Sequence, residues 1–385
     1  MADDWQHGGF GLYVHWPYCE SKCRDCDFNS HVSAFVDQKA WRAAYLKELD
    51  RVAAMTGGRV LNSIFFGGGT PSLMAPETVA AIIEKARDIW IPANDLEITL
   101  EANPGSVESG RFVGYRDGGV NRISMGVQAL NDRDLKRLGR LHSVADARAA
   151  FDIAKNVFDR VSFDLIYARQ DQSLADWRGE LSEALAMSVD HLSLYQLTIE
   201  DGTAFGDRYD AGKLRGLPDE GLAADMYDLT QELCEQAGMP RYEVSNHANS
   251  DAQSRHNLIY WRYGDYVGIG PGAHGRVTTA EGRFATEAFR HPVSWLGAVN
   301  KGAPELEPVM LSALEQAEEF VMMGLRISEG IDLNRFSQIS GRTINDQAIE
   351  SLLELGMVEL NGAQLGVSNQ GVKVLDAVIL ELLKA

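Results

Sequence analysis

At 385 residues, 45% hydrophobic and 24% charged, the chain has a globular composition with room for two or three cores, at about 150 residues per domain. Its 36 Lys and Arg against 55 Asp and Glu leave a net charge of −19, a surface that repels nucleic-acid phosphates and anionic lipid and so excludes both as broad partners. The opening MADDWQHGGF holds neither a basic segment nor an apolar run, and no stretch reaches ~18 uninterrupted apolar residues, so neither a signal peptide nor membrane insertion is expected, and a cytoplasmic location is.

Six short β-branched, aromatic or apolar runs follow one another: GLYVHW (11–16), SIFFGGG (63–69), LEITLEA (96–102), RISMGVQ (122–128), RVSFDLIY (160–167) and HLSLYQL (191–197). Between them lie segments with apolar residues three and four apart, such as TVAAIIEKARDIW (78–90) and LADWRGELSEALAM (174–187). Alternation of this kind builds a parallel sheet with right-handed crossovers. Six units fall short of a closed eight-fold barrel, so the expectation is an open, partial (β/α)6 TIM-like barrel over residues 1–200. Polar or glycine residues recur where these strands should end: Cys19 and its loop, Gly67 to Thr70, Glu101, Gln128 and Asp164. In such barrels the C-terminal strand ends form the reaction face.

Beyond residue 200 the rhythm breaks. A helix around 219–237 leads to PRYEVSN and the aromatic stretch SRHNLIYWRYGDYVGIGPGAHG (254–275), so residues 201–308 are expected to extend the barrel and end in a linker, KGAPELEP (301–308). From 309 to 385 the pattern is three helices and a hairpin around NGAQ, a winged-helix-like α+β domain. Residues 312–385 carry eleven acidic and five basic side chains, which excludes DNA binding and leaves a packing or docking role.

Three of the four cysteines crowd into WPYCESKCRDCDF, where Cys19, Cys23 and Cys26 stand in a C-x3-C-x2-C spacing on a polar loop. Soft thiolates in such numbers select iron–sulfur clusters or zinc. Structural zinc wants a closed four-ligand set, and no second C-x2-C exists; three thiolates can instead hold three irons of a [4Fe–4S] cluster and leave the fourth open. Cys234, inside the helical LTQELCEQA, reads as a core cysteine.

With that spacing at the first strand's exit, the chain resembles the radical S-adenosylmethionine (SAM) superfamily, in which SAM chelates the open iron. FFGGGTPS (65–72) is similar to the family's GGGTP motif, with Gly68, Gly69 and Thr70 close to SAM. Glu101 in LEANP, Gln128 in MGVQ, Arg140 in RLGRLH and Asp164 in FDLIY match the SAM-contacting positions of the HemN/HemW branch, and Tyr13 and His15 match its first strand. The resemblance implies that Arg140 pairs with the SAM carboxylate while Glu101 and Asp164 accept from its ammonium and ribose hydroxyls. One departure stands out: DLIYARQDQS replaces the family's DLIYGLPGQT, which should reshape that rim of the pocket.

Within the branch, oxygen-independent coproporphyrinogen III oxidases carry C-x3-C-x2-C-x-C after a longer N-terminal extension. Here Phe28 holds the fourth position and 18 residues precede Cys19. CDFNS and RHNLIYW (255–261) instead resemble the HemW-type heme chaperones, whose H-N-x-x-Y-W signature is associated with heme. On that resemblance His256, Asn257, Tyr260 and Trp261 are candidate heme contacts: an imidazole can ligate iron and the aromatic rings can stack on a porphyrin. His247 and His274 are alternative axial ligands. Heme, recipient hemoproteins of respiratory type, an electron donor and a second copy of the chain are the implied partners. The alternative is an oxidase that cleaves SAM reductively and decarboxylates porphyrinogen propionates.

Overall fold

The computed structural model describes residues 3–21, 23, 28–33 and 35–384. All six expected runs are strands: β1 (Phe10–Trp16), β2 (Val60–Gly68), β3 (Ile91–Ala102), β4 (Arg122–Gln128), β5 (Arg160–Tyr167) and β6 (His191–Gln196). They pair in sequence order, all parallel, with Gly11 to Trp16 of β1 opposite Ser63 to Gly68 of β2. A short β7 (Asn246–Ala248) runs antiparallel beside β6 and ends the sheet on that side.

On the other side the sheet is wider than the six runs imply. β8 (Asp265–Ile269) lies parallel to β1, pairing Phe10 with Asp265 and Val14 with Ile269. β9 (His274–Thr278), β10 (Arg283–Glu287) and β11 (Val309–Met310) then add antiparallel ribbons, giving eleven strands in the order β11-β10-β9-β8-β1-β2-β3-β4-β5-β6-β7. Seven parallel strands thus form the curved wall, and it stays open.

Along β1 the residues alternate in role, as a strand's period of two requires. Trp16 meets Trp41 of the covering helix Gln38–Thr56 edge to face at 5.6 Å, and Phe10, Leu12 and Val14 are likewise fully buried. Tyr13 and His15 point into the lumen, where the Tyr13 hydroxyl lies 3.0 Å from His15 Nδ1. Helices Pro76–Ile89, Val144–Val157 and Leu174–Met187 complete the outer layer. A second buried cluster, including Phe320, Leu325, Phe336, Leu352, Leu365 and Ile379, belongs to the C-terminal region. There, helices Leu333–Ser340 and Asp346–Glu354 precede a hairpin, Val358–Asn361 with Gln364–Val367, to which Ile331–Asp332 adds a third strand. Among the described residues no helix is long and apolar enough to cross a membrane.

Candidate functional site

A cavity of about 360 Å³ opens at the C-terminal ends of the parallel strands, and Cys19, Cys23, Gly68, Gly69, Thr70, Glu101, Gln128, Arg140 and Asp164 all line it. Residues separated by up to 145 positions are therefore brought to one surface by the sheet's register. Cys19 and Cys23 are half-buried at the cavity's edge. Cys26 lies outside the described residues.

The glycine segment comes close because it lacks side chains. Gly68 sits at φ 108°, a region glycine tolerates. Gly69 N–H donates to the Trp16 carbonyl at 2.7 Å and Thr70 N–H to the Tyr18 carbonyl at 2.8 Å, which fastens the segment to the start of the cysteine loop. A Cβ on Gly69 would lie 3.0 Å from Cys19 Sγ and 2.7 Å from the Tyr18 oxygen. Gln128 also adopts a left-handed conformation, φ 73°, where the β4–β5 ladder slips register. Backbone held this way is a common property of ligand sites.

Beneath the glycines lie two carboxyl groups. Burial, and then the neighbouring Asp164, push Glu101 up to about 8. Burial pushes Asp164 up to about 6, opposed by hydrogen bonds from Ser193 and Ser124 and by the charges of Arg122 and Arg140. Two like charges in a low-dielectric floor favour proton retention. Such a floor suits a cationic ligand, which would relieve the repulsion, while Arg140 on the same wall offers a partner for an anion. The residues present thus fit a thiolate-bound cluster with a small zwitterion beside it: thiols at the rim, bare backbone above, carboxyls and a guanidinium beneath.

Several lining residues escaped the sequence reading. The exit of β6 contributes Tyr195, Gln196, Leu197, Thr198 and Glu200, and the other strands add Ser124, Ile166 and Asn103. The strand-end rule that points to Glu101 and Gln128 also points to the β6 exit. Phe28 and Leu141 stand at the mouth, 61% and 75% exposed.

The HNLIYW segment forms a helix, Arg255–Trp261, at the opposite end of the barrel. Arg255 pairs with Asp95, the His256 N–H meets Glu97 Oε1 at 3.3 Å, and Glu97 in turn binds Arg160, the first residue of β5, at 2.7 Å. His256 is 2% exposed, with Nδ1 2.7 Å from Ser63 Oγ and Nε2 2.7 Å from the Tyr260 hydroxyl. Its ring stacks on Phe65 at 4.9 Å and Tyr13 at 6.3 Å, and Gly11 leaves it room. Burial and the Arg122 charge lower its pKa to about 3, so the imidazole is neutral. Tyr260 is T-shaped against Tyr266 at 4.4 Å. Trp261 packs elsewhere, against the Tyr242, Leu258 and Ile327 cluster, and Asn257 is half-buried with its N–H held by Ser254. His256 and Tyr260 therefore share one face, whereas Trp261 leaves it. Of the alternative ligands, His247 is buried 3.3 Å from Gln231 Oε1 and His274 is exposed in β9. Cys234 is fully buried, its thiol pushed up to about 12 by desolvation, as a core cysteine should be.

The Ala168–Arg169–Gln170 departure does not reach the cavity lining, contrary to the expectation of a reshaped rim. Ala168 takes φ 57°, and Arg169 turns inward, 4% exposed, onto Glu180 at 2.5 Å and Asp134 at 3.2 Å.

Comparison with known proteins gives the family and the fold. The radical SAM superfamily model matches residues 13–180 and the HemN C-terminal domain model residues 311–374. The chain is 40% identical over 334 residues to the protein named heme chaperone HemW of Escherichia coli, covering 86% of each. It is 41% identical over 388 residues to the mitochondrial radical S-adenosyl methionine domain-containing protein 1 of Bos taurus, covering 97% of this chain and 87% of that one. Among solved structures, the coproporphyrinogen III oxidase HemN of Escherichia coli superposes with a TM-score of 0.80 at 20% identity, over 98% of this chain and 92% of that one, a likeness of fold.

Proposed function

The chain belongs to the radical SAM superfamily, in its HemN/HemW branch, and from that premise we propose that it binds heme and passes it to hemoprotein recipients, with a [4Fe–4S] cluster and SAM held at the strand-end cavity. Cys19, Cys23 and Cys26 would hold the cluster; Gly68, Gly69, Thr70, Glu101, Gln128, Arg140 and Asp164 would hold SAM. A cluster held there would supply one-electron reducing chemistry beside the SAM seat. The protein's own groups orient the ligand: the bare Gly68–Gly69 backbone sets the approach, Arg140 pairs with a carboxylate, and Glu101 loses its proton to meet an ammonium.

The observation that carries the chaperone reading is Phe28, an exposed ring on the cavity wall at the position where the oxidase branch has a cysteine. Phenylalanine supplies neither ligand nor redox chemistry. His256 supports heme as cargo, because a neutral imidazole keeps the lone pair that iron needs. To reach iron the ring must exchange its bond to Ser63 or to Tyr260, so heme capture involves movement of the Arg255–Trp261 helix or of the residues beneath it. The cytoplasm, a reducing compartment, suits thiolates that hold a cluster.

The test is anaerobic reconstitution followed by two assays on one sample. Heme titration should saturate, and coproporphyrinogen should not be decarboxylated. Porphyrinogen turnover with 5′-deoxyadenosine release and no heme binding would overturn the reading. His256→Ala should weaken heme binding and leave the cluster absorbance intact.

A further inference from the structure

We propose that Arg169 is a positioning residue for the SAM pocket, holding the segment 128–140 against the barrel so that Gln128 and Arg140 face the ligand; the proposal rests on the SAM reading above. Residues 129–139 form an excursion between these two lining residues. It leaves β4 through the left-handed Gln128, makes a short helix, Asp132–Leu138, and returns through Gly139 at φ 81° to Arg140, whose N–H donates to the Leu135 carbonyl at 2.9 Å.

Two carboxylates, Asp134 buried and Glu180 half-buried, fasten this excursion, and Arg169 bridges them. Glu180, on the helix Leu174–Met187, accepts the Leu130 N–H at 2.6 Å through one oxygen and Arg169 Nη2 at 2.5 Å through the other. Asp134, inside the short helix and 3% exposed, meets the same Nη2 at 3.2 Å. Arg169 Nη1 donates to the Ile166 carbonyl at 2.6 Å, and Ile166 itself lines the cavity. A second tie runs parallel to the first: Arg137 donates to the Gln170 carbonyl and to Asp171, both at 2.8 Å.

A guanidinium is suited to this task. Its planar fork reaches three acceptors at once, where an ammonium is a point donor and an aliphatic chain reaches none. Ala168 and Asp171 both occupy left-handed conformations, φ 57°, that the surrounding bonds hold in place. The turn is thus built to deliver Arg169 inward, behind the pocket wall. Removing the cation would leave Asp134 with only Arg133 at 3.2 Å and Arg137 at 3.7 Å on its other oxygen, and Glu180 without a cation. The bridge between the excursion and the helix Leu174–Met187 would be lost, and the excursion would move away from the sheet.

The experiment uses the full chain, reconstituted anaerobically, with SAM binding read from its effect on the electron paramagnetic resonance of the reduced cluster. Arg169→Met should raise the SAM Kd at least ten-fold with iron content unchanged, and Arg169→Lys by less. In a Gln128→Ala/Arg140→Ala background, Arg169→Met should add less than two-fold, because its effect passes through these two residues. A purely structural role would instead give independent, multiplicative losses, and that result would overturn the proposal. Asp134→Asn, a milder change that keeps the Arg169–Glu180 tie, should raise Kd about three-fold, and it decides the matter if Arg169→Met does not fold. Unaltered Kd in Asp134→Asn and in whichever Arg169 variants fold would also overturn it. No SAM response in the unaltered, iron-loaded protein would overturn the SAM reading itself.

Discussion

Gly69→Ala adds one methyl group at the narrowest point of the candidate site. Its Cβ would stand 2.7 Å from the Tyr18 carbonyl oxygen, 2.9 Å from the carbonyl carbon and 3.0 Å from Cys19 Sγ. Two of these three atoms are backbone, so no side-chain rotation relieves the clash. The Tyr18 carbonyl is also the acceptor of the Thr70 N–H at 2.8 Å, and moving it breaks that bond. Overpacking costs about 1–3 kcal/mol and the lost bond about 1 kcal/mol, so the bound geometry should be disfavoured by about 2–4 kcal/mol. At about 1.4 kcal/mol per decade this is a roughly 30- to 1,000-fold loss of cluster or SAM affinity. Global stability should change less, because the strain can be released by displacing the cysteine loop. The assay is iron content and SAM titration after reconstitution, beside Gly110→Ala as a control; Gly110 sits in the helix Ser109–Asp117 with nothing within 4 Å of an added Cβ. Normal iron content with a normal SAM titration in Gly69→Ala would refute the assignment of this crevice as the cofactor seat.

Cys19→Ala, Cys23→Ala or Cys26→Ala should abolish the brown cluster absorbance, whereas Cys234→Ala, which only opens a small cavity in the core, should keep it; equal loss in all four would show the ligand assignment to be wrong. Glu101 and Asp164 titrate above their ordinary range in the folded chain, so their contribution to stability is full below their ordinary values of 4.5 and 3.8 and is lost as pH rises from there to about 6 for Asp164 and about 8 for Glu101. The melting temperature of SAM-free protein should therefore decline less steeply between pH 5 and 8.5 in Glu101→Gln/Asp164→Asn, and parallel curves would contradict the raised values. Calorimetry near pH 7 in buffers of different ionisation enthalpy should register proton release on SAM binding, since a cation beside Glu101 favours its charged form. Ala168→Gly should stabilise the chain by up to about 1 kcal/mol, the left-handed penalty of ~1–2 kcal/mol less glycine's entropic cost, read as a shift in urea midpoint.

What the chain order determined by itself is local chemistry. Each parallel strand from β1 to β6 announces itself as a run of apolar and β-branched residues, because a strand buried on both faces needs them along its length. C-x3-C-x2-C, the glycine triplet and the polar residues at strand ends are legible for the same reason: each lies within a few positions, and topology sends all of them to one end of the sheet. Tertiary structure alone decided features whose partners are remote in sequence. β8 reads as one more aromatic stretch until Asp265 is seen opposite Phe10, some 255 positions away. His256 beside tyrosine and tryptophan suggests an open aromatic face, yet its nitrogens meet Ser63 and Tyr260 inside the lumen and Trp261 turns to another cluster. Arg169 looks like a lost turn motif, and only the positions of Asp134 and Glu180 make it a buried bridge. A hydrogen bond or ion pair depends on where two groups end up in space, and no periodicity along the chain encodes that.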